Sequence, residues 1–203
     1  MTDFSLQQLV LRLIAYFFIT GVHGFAVAAA AVVLGDAGPR HDGRLRLNPL
    51  AHLDLLGTAA GVLFSVGWIR PIAVDPAALR IGRIGLLAVM AAGAAASLVG
   101  VILLRTLRPL ILPLLPDTRS ADLFALIETI GELSLWFVLL NMLPLPPLTG
   151  AHWLSAIAPR WRKVIHGSEP YAGVVLAVLA ASGTFARLLG PAYRVLAAAV
   201  LGE

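Results

Sequence analysis

Apolar residues run through this chain in long blocks, and the polar ones gather at the ends of those blocks. The first block covers residues 13–34. As a helix rising about 1.5 Å per residue it would span about 33 Å, enough to cross the hydrocarbon core of a bilayer. The second, 53–69, is shorter and contains Gly57, Gly61 and Gly67, which predicts a short span or a re-entrant segment. A third block covers 84–104, and a fourth covers 121–143 with Ser120 as its expected N-cap. A short apolar helix follows at 151–158, then a run at 171–189 and an alanine-rich end at 192–201, with Gly190-Pro191 as the expected break between the last two. The pattern predicts an all-α polytopic integral membrane protein with about five to six transmembrane helices. Residues 1–203 form one membrane domain, without an internal repeat, a low-complexity linker or a polar stretch long enough for a soluble domain.

The segments between the blocks are unusual. "GDAGPRHDGRLRLNPLAHLD", residues 35–54, begins with turn formers and then alternates in "GRLRLN", so that Leu45 and Leu47 face one way and Arg44 and Arg46 the other, a strand-like period of two. "GWIRPIAVDP" (67–76) carries two prolines, and "NMLPLPPLTGAHW" (141–153) carries three and a glycine directly after an apolar helix. Non-helical backbone at membrane depth is tolerated only where protein or a water-filled cavity surrounds it, so these loops are expected to line a site.

Composition agrees with a membrane protein: 59% of residues are hydrophobic and 13% charged, against about a quarter charged in soluble domains. The net charge of +4 comes almost wholly from arginines spaced between apolar blocks, a pattern of membrane-flanking loops rather than of a nucleic-acid surface. There is no cysteine, which excludes disulfides and thiolate metal sites. The only charge before Arg12 is Asp3 and no cleavage-type segment follows, so the first block is expected to stay. Trp68, Trp136, Trp153 and Trp161 are expected as interface anchors, Arg12 and Arg105 to snorkel, and the small residues of 91–96 to allow close helix packing. The loops 36–48, 69–83 and 160–163 hold nine basic residues and are expected on the cytoplasmic side if 49–69 re-enters; the segment 105–119, with three arginines, would lie opposite.

Four stretches, "HGFAVAAAAVVLGD", "GRLRLNPLAHLDLLGT", "GWIRPIAVDP" and "NMLPLPPLTG", occur in an order and at a spacing that resemble the compact site-2 protease family of intramembrane zinc metalloproteases. The family pattern is similar to an H-E-x-x-H-A helix ending in L-G-D, then G-R-L-T-L-N-P-L-x-H-I-D-P-x-G-T, then G-W-A-K-P-V-P-V-N-P, then N-L-L-P-I-P-P-L-D-G. The resemblance covers residues 23 to about 154 and implies a core over about 13–158, followed by C-terminal helices at about 171–201.

The departures from that pattern fall on the chemistry. The family implies two histidines at i and i+4 and an aspartate on zinc, with the glutamate after the first histidine as general base. Here His23 matches the first ligand, while Gly24, Val27 and Thr149 stand where the base, the second histidine and the aspartate would be. No catalytic residue and no metal are therefore expected, and His23 is a relict ligand held by a neighbour. The competing possibility is a rearranged zinc site built from His23, His52 and His152. By resemblance His52, Asp54, Asn141 and Pro146 border the cavity, and His152 joins them if a helix starts near Thr149. Glu128 and Glu132, at i and i+4, share one face of the fourth helix; intramembrane carboxylates point to cavity lining, proton relay or a partner, or else pair with an arginine of another helix.

Two functions follow. One is a catalytically inactive, site-2 protease-like binding or accessory subunit that meets the lipid bilayer and a transmembrane partner or larger membrane complex, but no nucleic acid. The other is an intramembrane zinc metalloprotease with displaced ligands. The expected location is a bacterial inner membrane.

Overall fold

A computed structural model describes residues 5–158, 160 and 162–202. Among the described residues there are eight α-helices and no strand: α1 (Leu6–Val33), α2 (Gly38–His41), α3 (Leu55–Phe64), α4 (Ile84–Ile111), α5 (Asp117–Asn141), α6 (Ala151–Ile157), α7 (Arg162–Ala181) and α8 (Thr184–Val200). Three of them, α1, α4 (with the 3-10 turn after it) and α5, are long and apolar enough to cross a membrane. The pair α7 and α8 would count as a fourth only as one broken span, because the two are bent by 75°. This is fewer than the five to six expected. The block at 53–69 holds only the ten-residue α3, about 15 Å long and too short to cross.

α1, α4 and α5 pack on one another around a core that includes Tyr16, Ile19, Val27, Leu86, Val89, Leu135 and Phe137. α1 and α4 approach closely because Gly93 presents no side chain to Val27 and His23; a Cβ there would lie 2.6 Å from the Val27 methyl. α3 lies against α1 through another glycine contact, since a Cβ on Gly61 would meet the Tyr16 ring at 2.2 Å. Tyr16 in turn donates to the Trp68 carbonyl at 2.9 Å, which holds the chain returning from α3 against α1. Trp68 is therefore a core residue, 1% exposed, and not the interface anchor expected. Trp136 stacks on Tyr193, Trp153 is exposed, and Trp161 lies outside the described residues.

The strand expected in "GRLRLN" is absent. Residues 45–47 form bends: the Arg44 N–H donates back to Pro39 and the Arg46 N–H to Arg44, so no edge is left for a ladder. Among the described residues the one β contact is an isolated antiparallel bridge between Leu53 and Ile69, which closes the base of the α3 hairpin. Gly190-Pro191 does not break the last segment either. The turn falls at Gly183, whose φ of 70° suits a residue without Cβ, and α8 continues through Pro191. Ser120 lies inside α5, where its hydroxyl donates to the Leu112 and Leu115 carbonyls rather than capping the helix.

The loops at the C-terminal end of α1 are tied into one body. Asp36 accepts from the Gly38 N–H at 2.9 Å and from the Asp75 N–H at 2.7 Å, and the Arg80 N–H donates to the Leu34 carbonyl. Residues 34–43 and 74–83 thus sit at one end of the bundle, with the α4–α5 turn at the other, while residues 47–52 and 65–68 lie deeper, against Gly21, Gly24 and Tyr16 of α1.

Candidate functional site

His23 lies on the buried face of α1 with Thr20, Gly24, Val27 and Ala31, the i, i+3, i+4 spacing that points side chains at α4 and α5. It is 1% exposed, and both ring nitrogens are engaged. Nδ1 lies 3.2 Å from the Ser97 hydroxyl on α4, and Nε2 lies 3.1 Å from the Thr149 hydroxyl. The Ser97 hydroxyl donates to the Gly93 carbonyl, so it accepts from Nδ1–H; Nε2 is then free to accept from the Thr149 hydroxyl. One neutral tautomer satisfies all three groups. Phe137 closes the ring's remaining side edge-on, with centroids 5.0 Å apart. The sequence signal for Ser97 is slight, a lone hydroxyl one turn beyond Gly93 in an alanine-rich helix.

Thr149 is brought to His23 by the proline-rich loop. Asn141, the last residue of α5, donates through Nδ2 to the Gly67 carbonyl at 3.0 Å and to the Phe137 carbonyl at 2.9 Å, and its own carbonyl accepts from the Gly150 N–H at 2.7 Å. These bonds clip the loop to α5 and to the return from α3. Gly150 is required there, because a Cβ would lie 2.1 Å from the Leu143 carbonyl oxygen.

Gly24 sits against a second histidine. His52 is fully buried, and a Cβ on Gly24 would lie 2.3 Å from its Cγ and Nδ1, so the imidazole fills the space that a side chain at position 24 would need. The ring is fixed by Nε2, which donates to the Arg46 carbonyl at 2.9 Å, while Nδ1 has no hydrogen-bond partner among the described residues. Burial lowers the His52 pKa below its ordinary value; the Arg46 carbonyl opposes this and the nearby Arg44 charge adds to it. Arg44, expected on one face of a strand, instead turns inward: it binds the Ala51 carbonyl and reaches the Pro71 carbonyl at 3.4 Å, joining the loops on either side of α3.

A cavity of about 120 Å³ opens beside this cluster, lined by Val27, Thr149, His152, Ser155 and Pro147 among others. The structure thus brings His23, Val27, Thr149 and His152 together, with Gly24 and His52 on the adjoining side. Asp54 lies apart: its carboxylate accepts from the Gly57 N–H at 2.7 Å as the N-cap of α3, and it lines a separate cavity with Trp68 and Pro71. Pro146 forms a cis bond with Pro147, and it is Pro147 that reaches the cavity wall. Glu128 is remote, paired at 2.5 Å with both Arg105 and Arg108 of α4. Arg105 also donates to the Leu201 carbonyl, so it is a structural link rather than a snorkelling chain. Glu132 faces a different groove, together with Arg12.

Over 179 residues the chain is 31% identical to "Putative zinc metalloprotease YwhC" of Bacillus subtilis (strain 168), a match covering 86% of this chain and 80% of that protein. This chain belongs to the family of that zinc metalloprotease. No family model and no solved structure matches it. Against the ligand set that the resemblance implies, the residues here do not fit a catalytic zinc. Such a site takes three protein ligands and an open water position. The matching positions offer one imidazole with both nitrogens in use, an isopropyl group, a neutral hydroxyl and a glycine with no room for a side chain. Among the described residues no group of three or more His, Asp or Glu is placed to hold a metal ion.

Proposed function

We propose that this protein is a catalytically inactive, site-2 protease-like membrane protein that serves as a binding or accessory subunit of a larger membrane complex. The observation that carries this reading is the His23 cluster. Ser97 and Thr149 satisfy the imidazole with neutral hydroxyls, and His52 occupies the volume a general base on residue 24 would need. In this reading residues 13–158 form the protease-like core. The re-entrant α3 hairpin and the bent α7–α8 pair account for the difference between three long helices and five to six apolar segments. The protein resides in a bacterial inner membrane and meets a transmembrane partner there.

A second reading, an intramembrane zinc metalloprotease with a rearranged ligand set, draws on the description of the Bacillus relative. It would use the His52 Nδ1, which has no partner among the described residues, but that atom lies against Gly24 of α1 and both ring nitrogens of His23 are already engaged by Ser97 and Thr149. Metal content separates the two. The purified chain, dialysed against trace zinc and measured by elemental analysis, is expected to carry no stoichiometric zinc. About one tightly held zinc per chain, lost in His23→Ala, would overturn the accessory-subunit reading.

A further inference from the structure

Glu128 and Glu132 lie one turn apart on α5, yet only Glu128 is neutralised within the protein. Glu132 is exposed and makes no hydrogen bond or ion pair with the described residues. It stands about 22 Å from the start of α5 and about 14 Å from its end, well inside a hydrocarbon core about 30 Å thick. It faces a groove of about 580 Å³ formed where the tip of the α3 hairpin meets α5 and the α7–α8 bend. The walls are apolar, with Phe64, Trp136 and Phe185, and small residues such as Ala181 and Gly183 border it on the bend. Arg12 also lines the groove, but its guanidinium donates to the Val62 carbonyl at 3.1 Å, near the C-terminal end of α3, where the helix dipole is negative. The guanidinium thus has a partner, whereas the carboxylate has none among the described residues.

Resting on the accessory-subunit reading, we infer that this groove docks a transmembrane helix of a partner protein that carries a lysine or arginine at mid-membrane depth. An intramembrane carboxylate is held by a charge partner or by a polar cavity. A lipid chain would fill the apolar walls and leave Glu132 unpaired, whereas a basic side chain satisfies it. The groove holds a few side chains rather than a whole helix, so the partner lies along it and inserts one residue. The small residues at the α7–α8 bend allow its backbone to come close.

The test uses the full chain in lipid vesicles and two synthetic transmembrane peptides of leucine and alanine, one with a central lysine and one without, with binding followed by energy transfer. The lysine peptide is expected to bind about three- to tenfold more tightly, the scale of interhelical polar contacts in membranes. Glu132→Gln should abolish that preference, and Glu132→Lys should transfer it to a peptide with a central glutamate. Equal binding of the two peptides, or a lysine preference that survives Glu132→Gln, would overturn the inference. Equal binding of the two peptides by a zinc-free chain would remove the groove as the docking site and leave the accessory-subunit reading standing. A zinc-loaded chain would remove that reading whatever the peptides do.

Discussion

At the scale of single residues, the contact between Gly24 and His52 governs what this site can become. Overpacking a filled core costs about 1–3 kcal/mol, and a methyl at position 24 is driven into the imidazole face. Gly24→Ala is therefore expected to lower stability by about that amount in thermal unfolding in detergent, and to be nearly neutral in a His52→Ala background, since the two sites share one volume. An equal penalty in both backgrounds would show that His52 is not what fills the space. The same contact constrains any attempt to rebuild a metal site. The positions of His23 and Thr149 do face each other, at 3.1 Å, so Val27→His and Thr149→Asp are well aimed, but Gly24→Glu is not accommodated while His52 stays. The triple variant should gain about one zinc per chain only when His52→Ala is added, as metal analysis would show.

His52 also sets a pH dependence. Its pKa in the folded chain lies below the unfolded value of about 6.5, so between the two values the unfolded chain binds more protons. Its contribution to stability is then complete above about pH 6.5 and declines as the pH falls below that. The midpoint of thermal unfolding should drop between about pH 7.5 and about pH 5, and His52→Gln should flatten part of that drop. A profile unchanged by His52→Gln would mean that the ring is not buried as described.

At the scale of elements, the α3 hairpin shows most plainly how local chemistry places a short helix inside a membrane protein. Asp54 caps its first turn, Ser65 ends it in the left-handed region at φ 65°, and Gly57 lets the Trp68 carbonyl lie where a Cβ would stand 2.3 Å away. Asp54→Ala is expected to cost about 1 kcal/mol by loss of the cap. Ser65→Gly should be neutral to stabilising, because glycine enters the left-handed region without a Cβ penalty. The opposite order, measured by unfolding of the two variants, would contradict this account of the hairpin's ends. The hairpin was half legible in the sequence. Its glycines marked close approaches, but the alternation of Leu45 and Leu47 with Arg44 and Arg46 suggested a strand. A period of two predicts a ladder only if a neighbouring edge exists, and here the backbone bends and Arg44 turns inward to carbonyls of the adjoining loops. The long helices were legible from their apolar runs, although α4 continues past its expected end through Pro109 to Ile111. Of the site, the positions of His23 and Thr149 could be read by resemblance. Ser97 and the plug made by His52 could not, because each depends on which faces of separate elements meet.

At the scale of the whole molecule, three long helices and the tied loops define two ends. The C-terminal end of α1, the segments 34–43 and 74–83, and the start of α4 share one end through the Leu34–Arg80 bond and the Asp36 bonds. The turn between α4 and α5 forms the other. Arg40, Arg80 and Arg83 then gather at the first end, and the positive-inside rule predicts that it faces the cytoplasm. The three arginines near the opposite turn counter this less than their number suggests, because Glu128 pairs with Arg105 and Arg108 and offsets one of their two charges. The chain has no native cysteine, so single introduced thiols report without background. Arg44 would be a poor reporter because it is buried, whereas Asp42 and Arg119 are exposed at the two ends. In intact cells an impermeant maleimide should label Arg119→Cys and spare Asp42→Cys until the membrane is opened. Labelling of both from outside would show that α1, α4 and α5 do not all cross, and the two-ended arrangement would fall with it.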